Sequence, residues 1–141
     1  MDDNSPNIDQ RLLEAYLRTT YQVENLPIEI RIGTWNQELD LLLQRHKTKS
    51  WAFISAWNLK SLPLSENENE FRHQELLKKI RKAGYPFFEG KGIGEDTQWP
   101  PEKSLLILGI SKTEALKIGQ HFEQNAIILG HFQQPALLLF C

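Results

Sequence analysis

Asn58 closes the apolar run Trp51-Ala-Phe-Ile-Ser-Ala-Trp57, and Asn67, Asn69, Arg72 and His73 follow closely behind it. Asn69 and His73 are four apart, a spacing that places two side chains on one helix face. Glu102 and Ser104 open a second apolar run, and Gln124 stands just before a third. Amides, a guanidinium, an imidazole and a carboxylate at element ends are the groups that orient a small polar or anionic ligand. In such an arrangement Glu102 would orient Arg72 or His73 and so fix the charge the ligand meets. The same residues have a plainer use. Asn67 and Asn69 would satisfy loop backbone, Glu102 would pair with Arg72, and Gln124 would cap a helix.

Other chemistries find less support. The stretch Glu89-Gly-Lys-Gly-Ile-Gly-Glu-Asp-Thr-Gln-Trp-Pro-Pro101 spaces its glycines as G-x-G-x-G. A dinucleotide fingerprint needs G-x-G-x-x-G at a strand-to-helix turn, and a P-loop needs a closing Lys-Ser or Lys-Thr. Neither is present, so the stretch reads as a long loop that could meet a partner through Trp99. No histidine pair has ligand spacing and there is no Cys-x-x-Cys, so no metal site is expected. Ser55 and Ser104 lack a nucleophile-elbow context. No catalytic residue or cofactor can be assigned, and whether the chain is an enzyme is left open.

The elements that must position these residues follow from periodicity. Leu12, Leu13, Tyr16, Leu17 and Thr20 recur at helical spacing, giving a first helix over 8–21. The alternation Ile28-Glu-Ile-Arg-Ile32 reads as a half-buried strand, and Thr34 with Gln37 as the capping box of a second helix. Residues 51–57 are apolar on both faces, as a central strand is. A third helix follows from Glu66 to Ala83, capped by Ser65 with Glu68, burying Phe71, Leu76, Leu77 and Ile80 and stopped by Gly84. Tyr85 to Glu89 suggests a short strand that Pro86 would push toward an edge. Strands over 103–110, 125–130 and 136–140 and a helix from Ser111 to Phe122 complete the order. Helices alternating with strands predict an α/β or α+β fold, with a mixed sheet of about five or six strands and about four helices.

The chain has 141 residues, enough for one domain with a real core. We expect a flexible lead-in over 1–7 and a single globular domain over 8–141. No apolar run reaches the ~18 residues of a membrane helix, and the acidic, polar start lacks the features of a secretory signal. With one cysteine, Cys141, no intrachain disulfide forms, and the cytoplasm is the natural compartment. A net charge of −2 does not favour nucleic acid as a partner.

The phrases Ala-Phe-Ile-Ser-Ala-Trp-Asn58, Ser65-Glu-Asn67, Trp99-Pro-Pro-Glu102-Lys-Ser104 and Phe122-Glu-Gln124-Asn-Ala126-Ile, with Gly84, Gly90 and Gly109 between them, resemble the bacterial domain of unknown function 3293. The similarity runs from Ala15-Tyr16 to Ile128, although Leu59 stands where that pattern has proline. It implies a bacterial origin and a fold-sized unit, and no activity. Two functional readings follow. One is a pocket for a small polar or anionic ligand at the strand–helix junction from Asn58 to His73. The other is a non-catalytic protein-interaction module using the loop from Gly90 to Pro101.

Overall fold

The computed structural model describes residues 10–96 and 98–141, so the lead-in expected over 1–7 lies outside the described residues. The elements are α1 (Gln10–Leu17), β1 (Thr20–Val23), β2 (Glu29–Ile30), α2 (Gln37–Arg45), β3 (Ser50–Ser55), α3 (Glu66–Ala83), β4 (Phe87–Ile93), β5 (Glu102–Leu108), α4 (Lys112–His121), β6 (Ala126–His131) and β7 (Leu137–Phe140). A short 3-10 turn, Leu59–Ser61, lies between β3 and α3. The seven strands form one sheet in the order β2-β1-β4-β5-β3-β6-β7. The fold is α+β, a single domain.

The sheet is antiparallel in every ladder rather than mixed, with one isolated parallel bridge between Ile32 and Ala136. β3 and β5 run through its middle, as their two-sided apolar sequences require. Alternation along β3 divides the core. Ala52, Ile54 and Ala56 face α3 and α4, meeting Leu76, Leu77, Ile80, Ala115 and Ile118. Trp51 and Phe53 face the other way, onto Leu39, Leu42 and Leu43 of α2. The helices α2, α3 and α4 each begin on a polar cap. Asn36 accepts from the Leu39 N–H, Ser65 and Glu68 form a reciprocal capping box, and Ser111 accepts from the Glu114 N–H. Gly84, at φ 84°, ends α3 in the left-handed conformation that glycine adopts most cheaply.

Several expectations are corrected. The first helix stops at Leu17, and the chain turns into β1, where Tyr21 and Val23 point inward at period two. Asn36, not Thr34, caps α2. The strand expected over 28–32 is a regular strand only over Glu29–Ile30, with Ile32 in the isolated bridge to Ala136. Phe71 is 66% exposed instead of buried. The largest revision concerns the glycines. Gly90 and Gly92 belong to β4, which lies inside the sheet between β1 and β5, and Pro86 stands just before its first residue. Glycine is needed at position 90 for close approach. A Cβ there would lie 2.5 Å from the Gln22 carbonyl oxygen and 2.9 Å from the Phe53 ring.

Gly90→Ala should therefore destabilise the fold by about 1–3 kcal/mol, since a ladder carbonyl and a buried ring must both yield. Gly94→Ala should be close to neutral, because its Cβ would meet nothing nearer than the Asp96 nitrogen at 4.0 Å. Urea unfolding of the two variants measures the contrast.

Candidate ligand-binding cleft

On the α2 side of the sheet, side-chain size changes along the strands. Under α2 the surface is built from Trp51, Phe53, Leu106, Leu108 and Ile128. Toward the other end the same face carries Ser55, Gly92, Ser104 and Ala126, with Glu102 across from Gly92 and Ser104 across from Ser55. Small residues leave the sheet uncovered there, and α1 bridges the gap without any fully buried residue of its own. The result is a cleft of about 740 Å³ between α1 and the sheet. Its floor is Phe53, Ser55, Ser104, Ala126 and Ile128. Tyr16 of α1 and Trp99, just ahead of β5, also line it.

The polar chemistry centres on Glu102. After β3 the backbone turns through Asn58 at φ 51°, ψ 80°, a left-handed conformation that asparagine tolerates better than most residues. The Asn58 N–H donates to Asn69 Oδ1 at 2.7 Å, and Asn69 Nδ2 donates back to Asn58 Oδ1 at 2.8 Å. Asn58 Oδ1 also accepts from the Leu64 N–H at 2.9 Å. That leaves the Asn58 amide nitrogen, which donates to Glu102 Oε2 at 3.1 Å. Trp99 Nε1 donates to the same oxygen at 3.0 Å. Glu102 Oε1 accepts no hydrogen bond among the described residues.

Burial raises the Glu102 pKa above its ordinary value of 4.5, and the bonds from Trp99 and Asn58 oppose that rise without cancelling it. The Tyr16 phenol is pushed up to about 12 by burial, against the pull of its hydrogen bond with Ser61. Tyr21 is raised for the same main reason. Both phenols are therefore neutral near pH 7 and keep their protons as donors. Among the described residues no three His, Cys, Asp or Glu side chains come together as a metal ion would need.

The eight residues singled out in the sequence separate into two groups. Asn58, Glu102, Ser104 and Gln124 line the cleft. Asn69 stands directly behind Asn58, holding it. Asn67 is exposed on α3 and is not part of the lining. Arg72 and His73 belong to the α3 side, across the sheet from Glu102. Arg72 donates through Nε to the Ala56 carbonyl at 2.7 Å and through a second nitrogen to the Phe122 carbonyl, with Glu123 at 3.6 Å. His73, 1% exposed, places Nε2 2.8 Å from Glu89 Oε1, and its Nδ1 has no partner among the described residues. The expected pairing of Glu102 with Arg72 or His73 is not formed; Glu123 and Glu89 hold those positions. The helix end at Ser65 is likewise occupied by its own capping box.

Tyr16, Tyr21, Phe53 and Trp99 are cleft residues that periodicity assigns to core or loop. Their only signal is a concentration of aromatics near polar element ends, which a core produces equally well.

Residues 54–127 match the family model described as "Protein of unknown function (DUF3293)", more than half of the chain. The chain belongs to the DUF3293 family. No curated protein and no solved structure gives a match. Within this DUF3293 chain the matched residues include Asn58, Asn69, Trp99, Glu102, Ser104 and Gln124, whereas Tyr16 and Tyr21 precede them. The polar floor therefore lies in the family region, and the α1 roof lies before it.

Glu102→Gln provides a test of the electrostatics. An amide oxygen can still accept from Asn58 and Trp99, while the cost of holding a buried charge is removed. That cost exists above the raised folded-state pKa of Glu102 and fades as pH falls toward the unfolded-state value. Thermal melts should place the variant at or above the parent chain at about pH 8, with the gap closing toward about pH 4.

Proposed function

We propose that this DUF3293 chain binds a small organic molecule with a polar head in the cleft between α1 and the sheet. The observation that carries the reading is Glu102. It is a carboxylate with a raised pKa, fixed through one oxygen by Asn58 and Trp99, in a cavity large enough for a small-molecule ligand. Glu102 is partly buried and its Oε1 accepts no hydrogen bond among the described residues, so an open acceptor in the cleft supports a ligand donor in that position. We propose a bacterial cytoplasm as the setting, supported by the family resemblance and by a single cysteine in the sequence. No helix among the described residues is long and apolar enough to cross a membrane.

The junction at the start of α3 is less well suited to an anion. The capping box already engages the N–H groups of Ser65 and Glu68, and Glu68 adds negative charge there. A docking loop over 90–101 has one feature in its favour, the 38% exposure of Trp99 beside two prolines. Against it, the Trp99 N–H is committed to Glu102, and the first residues of the segment are paired within β4.

A thermal-shift screen of small metabolites and fragments tests the proposal. Hits should lose their stabilising effect in Glu102→Ala and keep it in Asn67→Ala, whose exposed side chain is away from the cleft. Loss of binding in Asn67→Ala, with binding kept in Glu102→Ala, would move the site to the start of α3.

A further inference from the structure

The charges around the cleft are unequally placed. Arg11, Glu14, Arg18, Glu95 and Asp96 are all exposed and stand at its rim. Among the described residues Glu102 is the one charged lining residue that is not exposed. Among the described residues no lysine, arginine or histidine forms an ion pair with it. Its two intramolecular donors, the Asn58 amide and the Trp99 indole, are neutral and share one oxygen. A carboxylate held this way in partly apolar surroundings has no counter-charge among the described residues.

The neighbouring walls suit one that comes from outside. Tyr16, Tyr21, Phe53 and Trp99 line the same cavity, with the Tyr21 and Phe53 rings edge to face at 5.4 Å. Aromatic faces attract cations through their quadrupole, and a desolvated site strengthens that attraction. The Ser104 hydroxyl donates to the Glu102 carbonyl at 3.2 Å and leaves its oxygen lone pairs as further acceptors, whereas Ser55 Oγ donates to the Lys103 carbonyl at 2.8 Å and already accepts the Trp57 N–H at 2.9 Å. Acceptors and π-faces, with one carboxylate, are the complement of a positively charged donor. An anion would meet Glu102 directly.

We propose that the ligand class of this cleft is an organic cation, a protonated amine on an apolar body, with its N–H donors on Glu102 and its body against the aromatic walls. This rests on the cleft reading above and names its ligand class. Recognition has two parts. Charge and hydrogen bonding at Glu102 select the ammonium head, and Phe53, Ile128 and Ala126 accept the apolar remainder.

The experiment uses three probes of one shape and different charge: benzylamine, benzyl alcohol and benzoate. Each is titrated into the isotopically labelled chain at neutral pH, following the Trp99 indole N–H resonance. A charge-assisted hydrogen bond predicts that benzylamine binds about tenfold or more tightly than benzyl alcohol, with benzoate weakest. Glu102→Gln should remove the benzylamine preference. Glu66→Gln, the same change in net charge on the exposed start of α3, should preserve it. The alcohol or benzoate binding as tightly as the amine would overturn the cation assignment, as would an amine preference that survives in Glu102→Gln. Failure of all three probes to bind would overturn it too. The broader screen decides separately on the cleft, because a neutral or anionic hit lost in Glu102→Ala would sustain the cleft and refute only the cation.

Discussion

The reciprocal amide pair between Asn58 and Asn69 is the interaction on which the rest of the site depends. It joins the left-handed turn after β3 to the first turn of α3, and both residues are buried. Each bond contributes only ~0.5–1.5 kcal/mol net, but a buried partner left stranded costs ~1–3 kcal/mol. Loss of Asn69 would therefore do more than remove one contact. It would leave the Asn58 N–H without its acceptor and free the side chain that reaches Glu102. The pair sets both the direction of α3 and the direction of the amide that fixes Glu102.

A second constraint comes from strand alternation. Neighbouring positions in one strand serve opposite faces. In β4 the even positions, Phe88, Gly90 and Gly92, share the cleft face, and Glu89 between them faces α3 and His73. In β5, Glu102 and Ser104 share the cleft face with Leu106. The sheet thus keeps two polar systems apart. Arg72 and His73 are engaged in joining α3 to Ala56, Phe122 and Glu89. Among the described residues Glu102 keeps an open oxygen, because those cations are engaged on the other face of the sheet.

Much of the fold was legible where sequence signals agreed. The central positions of β3 and β5 follow from apolar residues on both faces, and the Ser65–Glu68 box marks the start of α3 unambiguously. The β1 segment was hidden because Thr20 also fits the helical spacing of Leu12, Leu13, Tyr16 and Leu17. The glycines of β4 fit a loop because loops are their usual place; the reason for glycine at position 90 is the Gln22 carbonyl of β1 and the Phe53 ring of β3, two strands away in the sheet. For the site, residue type and position at an element end brought out Asn58, Glu102, Ser104 and Gln124. Which face Arg72 and His73 serve depends on how α3 is rotated against the sheet. Helical spacing alone does not give that rotation, and the exposed Phe71 would have suggested the wrong one.

The roof of the cleft follows a different logic from its floor. A helix of eight residues is too short to be stable alone in water, so tertiary contacts must hold α1 in place. No α1 residue is fully buried, and its contacts include the Tyr16 ring edge-on to Phe140 at 6.2 Å and the Tyr21 hydroxyl donating to the Tyr16 carbonyl at 3.4 Å. The floor, by contrast, is made of central strands whose Leu105, Leu106 and Ile107 are wholly buried. Any molecule in the cleft touches both. Its binding energy adds little in proportion to a floor whose strands already carry wholly buried residues, and more to a helix with no fully buried residue. Occupancy of the cleft and docking of α1 are therefore linked: whatever binds beneath α1 stabilises the helix over itself.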